Sequence, residues 1–212
     1  MGDQHEGRRP TSHERRSGQA WDASYQDGPA PWDIGRPQPA VTELAREHQL
    51  TGPALDAGCG TGENALHLAS RGLEVLGVDV AETAVEEARR KAAERRVEAG
   101  FQVADALELG RLGREFATVL DCALFHTFDD DERPAYADSL ASVTARPGTL
   151  YLLCFSDRQP GDWGPRRVTQ DELRATFTRE HGWDVRSIAP ARLETVLDTS
   201  DVQAWLATID RV

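Results

Sequence analysis

The order of apolar runs predicts an α/β fold: a doubly wound, mostly parallel sheet with helices on both faces and an antiparallel edge. Three observations carry this expectation. Strand-like and helix-like segments alternate between residues 53 and 155. The first apolar run breaks into a glycine-rich turn just before a helix. Near the C-terminus, two strand-like runs stand too close together for a crossover helix, which requires an antiparallel pair.

Residues 1–19 carry His, Arg, Gly and Ser with no apolar segment, so they read as a disordered tail and not as a signal peptide. Residues 20–212 then form one domain. Its first segment, residues 20–40, holds four prolines and two tryptophans, too irregular for a helix and too aromatic for a linker. It is expected to pack as an ordered strap. A helix follows over 40–49, with Val41, Leu44 and Ala45 on one side.

The alternating region opens with Pro53–Ala57 as the first strand. Next comes a helix over Glu63–Ser70, stopped by Gly72. The spacing then predicts a strand at Leu73–Asp79, a long helix at Ala81–Ala99, and strands at Phe101–Ala104 and Phe116–Leu124. A helix over Asp131–Thr144 is closed by Pro147-Gly148 and followed by the strand Thr149–Phe155. After a loop, Ser156–Arg167, the reading is a helix near Thr169–Arg179, paired strands at 183–188 and 192–197, and a final helix at 202–209.

Composition narrows the function. Among 212 residues, 24 Lys and Arg stand against 36 Asp and Glu, a net charge of −12 that repels phosphate backbones and argues against nucleic acid. The basic stretch Arg89–Arg96 is interleaved with glutamates, as on a solvated helix face. No apolar run approaches the roughly 20 residues that a membrane helix needs. Cys59, Cys122 and Cys154 are odd in number and far apart, unlike a disulfide framework or a zinc site, so no metal is expected and a reducing cytoplasm fits. The expected partner is a small molecule, and the protein a monomer or homodimer.

The chemistry is concentrated in Leu55-Asp56-Ala57-Gly58-Cys59-Gly60-Thr61-Gly62, a strand running through three glycines into a helix. Glycines let the backbone approach a ligand closely, and the helix N-terminus adds amide donors. At the end of the next strand stands Asp79, where a carboxylate can accept from both ribose hydroxyls. Two cofactors compete. The nicotinamide fingerprint is G-x-G-x-x-G, whereas here the glycines fall as G-x-G-x-G behind an acid. Asp56 would be unwelcome beside a pyrophosphate but suits a cationic sulfonium and ammonium, which favours S-adenosylmethionine.

These residues resemble the class I S-adenosylmethionine-dependent methyltransferases. DAGCGTG (56–62) looks like the first motif of that family, GVDV (77–80) the second, VADALEL (103–109) the third and VLDCALFHTF (119–128) the fourth. The resemblance implies a Rossmann-like, seven-stranded sheet. It also implies that Asp79 and Val80 meet the ribose, that Asp105 and Ala106 flank adenine, and that Asp121 lies by the methionine moiety. The strap resembles that of thiopurine, thiol and halide methyltransferases, in which aromatic residues close over the cofactor. Strap and fourth motif together look most like mycobacterial enzymes that O-methylate hydroxyquinolones and related heteroaromatic compounds. The implied activity is methyl transfer to oxygen or nitrogen of such a compound, in detoxification or secondary metabolism. A thiol or halide methyltransferase, a nicotinamide oxidoreductase and a non-catalytic cofactor-binding module remain as alternatives.

Single residues complete the expected site. Trp32 and Tyr25 are candidates for cofactor contact, alongside Asp56 and the glycines Gly58, Gly60 and Gly62. Trp21, Phe125, Asp157 and Trp163 are candidates for acceptor contact. His126 follows the fourth strand at the carboxyl edge where open α/β sheets bind ligands, and is the candidate to take a proton from a hydroxyl acceptor. Cys59, Cys122 and Cys154 read as packing residues, and His48 and His67 as ordinary helix residues.

Overall fold

The computed structural model describes residues 8–26, 28–47, 50–196 and 202–212. Ahead of the sheet come three helices: α1 (Ser12–Ser17), α2 (Ala23–Gln26) and α3 (Pro39–Arg46). β1 (Ala54–Ala57), α4 (Glu63–Ser70), β2 (Val75–Asp79), α5 (Glu82–Arg95) and β3 (Gly100–Val103) make the first half of the winding. β4 (Phe116–Cys122), α6 (Glu132–Ala141), β5 (Thr144–Phe155), α7 (Gln170–Thr176), β6 (Trp183–Leu193) and β7 (Val202–Arg211) make the second.

The seven strands lie in the order β3-β2-β1-β4-β5-β7-β6, parallel except β7, which runs antiparallel to both its neighbours. The chain winds outward from β1 in one direction and from β4 in the other. The crevice at the carboxyl ends of β1 and β4 is therefore the topological switch point.

Strand alternation sorts the core into two layers. Leu55, Val78, Val119 and Leu152 pack with Tyr136 and Leu140 of α6, Leu173 of α7 and Phe177 just beyond it. Ala54, Val75, Leu120 and Tyr151 face α3, α4 and α5, meeting Leu44, Leu66, Val85 and Ala88. Burying one large apolar side chain in either layer contributes about 1.5–3 kcal/mol. The same alternation points Asp121 toward α6 with Val119, and Asp56 toward α4 with Ala54.

Three expectations are corrected. The 1–19 tail is ordered from Arg8 onward, residues 1–7 lying outside the described part. Thr11 and Glu14 form a reciprocal capping box on α1, and Ser12 bonds to Glu132 and to the Thr127 carbonyl. The final helix is instead the strand β7. Val202, Trp205, Leu206 and Ile209 have helical spacing, but a strand covered on both faces is apolar on both, which erases its period of two. The two expected edge strands are one continuous β6 that pairs with β7. It passes through Pro190, whose missing N–H an edge strand tolerates. Glu194–Val196 lie beyond β6, and the expected end at Leu197 falls outside the described residues, as do His48 and Gln49.

Candidate cofactor and acceptor site

At the switch point Gly58 leaves β1 with φ 74°, and its amide and that of Cys59 donate to the Val78 carbonyl. Gly62 caps α4 with φ 84°, and a Cβ there would lie 2.8 Å from both Ala88 Cβ and Phe101 Cε1. Only glycine fits that corner. The tightened turn sets its Gly60 amide against the Asp79 carboxylate. One Asp79 oxygen accepts from Gly60 N–H at 2.8 Å and the other from Ala81 N–H at 2.9 Å. A carboxylate has about four acceptor positions, so each oxygen keeps capacity for a ligand. Burial raises the Asp79 pKa, the amides holding it back.

In front of this turn opens a cavity of about 660 Å³, within the range of small-molecule sites. One end is walled by Gly58, Asp79, Val80, Ala104, Asp105 and Ala106. The apolar Val80, Ala104 and Ala106 form a slot, and Asp105 stands at its edge, accepting from Leu107 N–H at 2.9 Å with burial raising its pKa. The other end is walled by Trp21, His126, Phe128, Phe155, Trp163 and Arg166.

The strap lies across the cavity. Trp32 donates from its indole to the Tyr25 hydroxyl at 2.9 Å, and Trp21 and Tyr25 meet Trp32 edge to face. Trp21 in turn stacks on His13 of α1 at 4.1 Å and donates to Thr11 Oγ1. The strap is anchored at several points. Asp22 holds Thr83 at the start of α5, Asp33 accepts from Thr61, and Gln38 exchanges hydrogen bonds with Glu194 beyond β6. Val196 N–H closes the far side on the Pro31 carbonyl.

Of the residues singled out in the sequence, Gly58, Asp79, Val80, Asp105, Ala106, Trp21, Tyr25, Trp32, Trp163 and His126 line this one cavity. Gly60 borders a smaller pocket beside it. Five others are not in the wall. Gly62 is the tight corner just described. Asp121 is buried beneath the site, bonding Leu124 N–H, Phe125 N–H and the Tyr136 hydroxyl, and its pKa is pushed by burial to about 6. Phe125 is packed against Phe177. Asp157 is exposed and takes a hydrogen bond from the Trp205 indole. Asp56 is fully buried with both oxygens unpaired, and desolvation lifts its pKa to about 7.

His126, the expected proton acceptor, lines the cavity with one ring nitrogen already engaged. Phe155 N–H donates to Nδ1 at 3.0 Å, so the neutral ring carries its proton on Nε2 and offers the cavity a donor. Burial, reinforced by nearby positive charge, lowers its pKa to about 3.

Sequence reasoning missed Arg8, Thr11 and His13 in the cavity wall because it gave them to the tail. The Thr11-to-Glu14 spacing was the available signal. It also missed Ala123, a non-glycine at φ 71° just after β4, for which no sequence signal exists.

Comparison with known proteins agrees with this geometry. Residues 54–148 match the family described as Methyltransferase domain. The chain is 38% identical over 167 residues to the 2-heptyl-1-hydroxyquinolin-4(1H)-one methyltransferase of Mycobacteroides abscessus, covering 77% of this chain and 72% of that protein. It is similar, at 39% identity and TM-score 0.79 over 85% of each chain, to a structure described under conversion of a disulfide bond into a thioacetal group during echinomycin biosynthesis. It also resembles the magnesium protoporphyrin IX methyltransferase of Synechocystis PCC 6803 with bound S-adenosylmethionine. That likeness is 25% identity and TM-score 0.63, covering 82% of this chain and 76% of the other.

Proposed function

The chain belongs to the S-adenosylmethionine-dependent methyltransferases, and from that premise we propose that it methylates an oxygen, or a nitrogen, of a small aromatic or heteroaromatic compound. The observation that carries the acceptor class is the aromatic end of the cavity, where Trp21, Phe128, Phe155 and Trp163 offer flat apolar faces. A setting in detoxification or secondary metabolism is supported by the quinolone and echinomycin subjects of the two relatives.

The residues present fit the cofactor. Asp79 would hold the ribose hydroxyls with the acceptor positions its backbone bonds leave over. Asp105 would take the adenine amino group beside the slot of Val80, Ala104 and Ala106. The nicotinamide alternative gives way here, since two carboxylates stand at this end and, among the described residues, the one cation beside them, Arg8, is paired with Glu14 and lies 4.0 Å from Asp105, which suits an adenosine without phosphates. Asp121 would fix the 124–125 backbone beside the methionine moiety, acting through its amide bonds. When bound, S-adenosylmethionine supplies a methyl group on a sulfonium, an electrophile that leaves the protein the work of alignment and exclusion of water. The strap and α1 would do the excluding, through the chain Tyr25, Trp32, Trp21 and His13.

The test is transfer of a labelled methyl group to a panel of hydroxyquinolones, phenols, heteroaromatic amines, thiols and iodide, with Asp79→Ala as control. Label on oxygen or nitrogen, lost in the variant, is expected. A sulfur acceptor is the second reading, favoured by the 39% identity to the protein of the disulfide-to-thioacetal conversion. Label confined to thiols would establish it instead.

A further inference from the structure

We infer that His126 serves the acceptor as a fixed hydrogen-bond donor through Nε2–H, and that the site takes up acidic heteroaromatic or aromatic hydroxyls in their anionic form. This rests on the small-molecule reading above and names the protonation state it requires.

The argument begins with the donor that fixes the ring. A backbone amide can only donate, so the 3.0 Å contact from Phe155 N–H identifies Nδ1 as the acceptor nitrogen. For Nε2 to take a proton while the ring stays neutral, Nδ1 would have to become N–H. Two N–H groups would then face each other, and a buried amide would lose its partner. The ring is held in this pose by the strand that carries Phe155 and by edge-to-face contact with the Phe155 ring at 5.0 Å.

The charged neighbours point the same way. The groups acting on His126 are Arg166 and Arg167 after β5 and His13 from α1, all of one sign when charged. Arg166 is shared with Glu172, and Arg167 donates to backbone carbonyls. The carboxylates of the cavity wall, Asp79 at the end of β2 and Asp105 after β3, stand two and three strands away from β4. Asp121 and Asp157 are turned away onto Tyr136 and Trp205, while Glu14 is paired with Arg8. Among the described residues, the aromatic end of the cavity thus holds no carboxylate placed to remove a proton, and its other imidazole, His13, lies stacked on Trp21.

An anionic acceptor completes this end. Its lone pair forms the new bond to carbon, the carbon–sulfur bond breaks with its pair going to sulfur, and the sulfonium and acceptor charges cancel. No proton is released within the site. An acceptor of ordinary alcohol acidity would arrive protonated, with its hydroxyl facing the donor of His126.

Two measurements on the unmodified protein test this. In a two-bond proton–nitrogen spectrum of the imidazoles, with His126→Gln identifying the signal by its loss, a neutral Nε2–H form unchanged from about pH 8 to pH 5 is expected. An Nδ1–H form, or titration near the ordinary histidine value, would overturn the proposal. Second, 4-nitrophenol is titrated spectroscopically in the S-adenosylhomocysteine complex. The bound probe is expected to ionise about one pH unit lower than the free probe, with the shift reduced in His126→Phe. Ionisation at or above the free value, an equal shift in the variant, or no uptake of the probe while other acceptors are methylated would each count against it. Failure of methyl transfer to every acceptor would instead remove the small-molecule reading. The imidazole spectrum would still decide the donor assignment.

Discussion

Asp22, in the strap, accepts from the backbone amide of Thr83 at 2.7 Å and from its hydroxyl at 2.9 Å. One carboxylate therefore both satisfies an unpaired amide in the first turn of α5 and ties the strap to the sheet's helical layer. Asp22→Ala should cost about 1 kcal/mol of stability and weaken S-adenosylhomocysteine binding several-fold, as the strap loses an anchor. Thermal unfolding and calorimetric titration would check both effects.

Asp79 carries a larger share of cofactor binding. Removing an acceptor that makes two hydrogen bonds to a ligand from a charged group should cost about 3 kcal/mol, roughly a hundredfold in Kd. Asp79→Ala is therefore expected to bind S-adenosylhomocysteine about a hundredfold more weakly. Unchanged affinity in the variant would rule out the ribose role.

Two glycines with similar φ make a controlled pair. Gly62 at 84° is walled in by Ala88 and Phe101, while at Gly72, with φ 92°, nothing lies within 4 Å of the place a methyl group would take. Gly72→Ala should cost about 1 kcal/mol from backbone strain alone, and Gly62→Ala about 2–4 kcal/mol through added overlap. Denaturant unfolding of both variants checks the order.

Asp56 sets a pH dependence of stability. Its folded pKa, about 7, lies above the ordinary carboxyl value, so ionising it in the native state opposes folding. That cost is full above about pH 7 and fades as pH falls through it toward about 4, where the unfolded chain also takes up the proton. Asp56→Asn should therefore be more stable than the parent at pH 8, by an amount on the order of 3 kcal/mol, with the difference shrinking toward zero near pH 4. Unfolding curves of both proteins without cofactor, at pH 8, 6 and 4, measure it.

The sheet and the glycine turn were legible because their signals are local: a period of two or 3.6, and glycines at positions where a Cβ collides. The α4 boundaries, 63–70, follow directly from Gly62 and Gly72. β7 was not legible, since whether Val202–Ile209 is a helix or a doubly covered strand depends on β5 and β6 lying on either side of it. Asp56 and Asp121 resisted for a related reason. Their spacing put them at the site, but the face each side chain takes follows from strand pleating, which sends Asp121 to Tyr136 and leaves Asp56 under α4. The donor role of His126 depends on a single amide 29 positions further along the chain.

The place of β7 has a consequence for how the protein is assembled. β6 meets the rest of the sheet through β7, yet β7 follows β6 in the chain and is made after it. While the polypeptide emerges from the ribosome, β6 has no neighbour to zip onto, and Glu194, which braces the strap through Gln38, has no settled position. Completion of the ligand pocket thereby waits for β7, which has to slide between two strands already made.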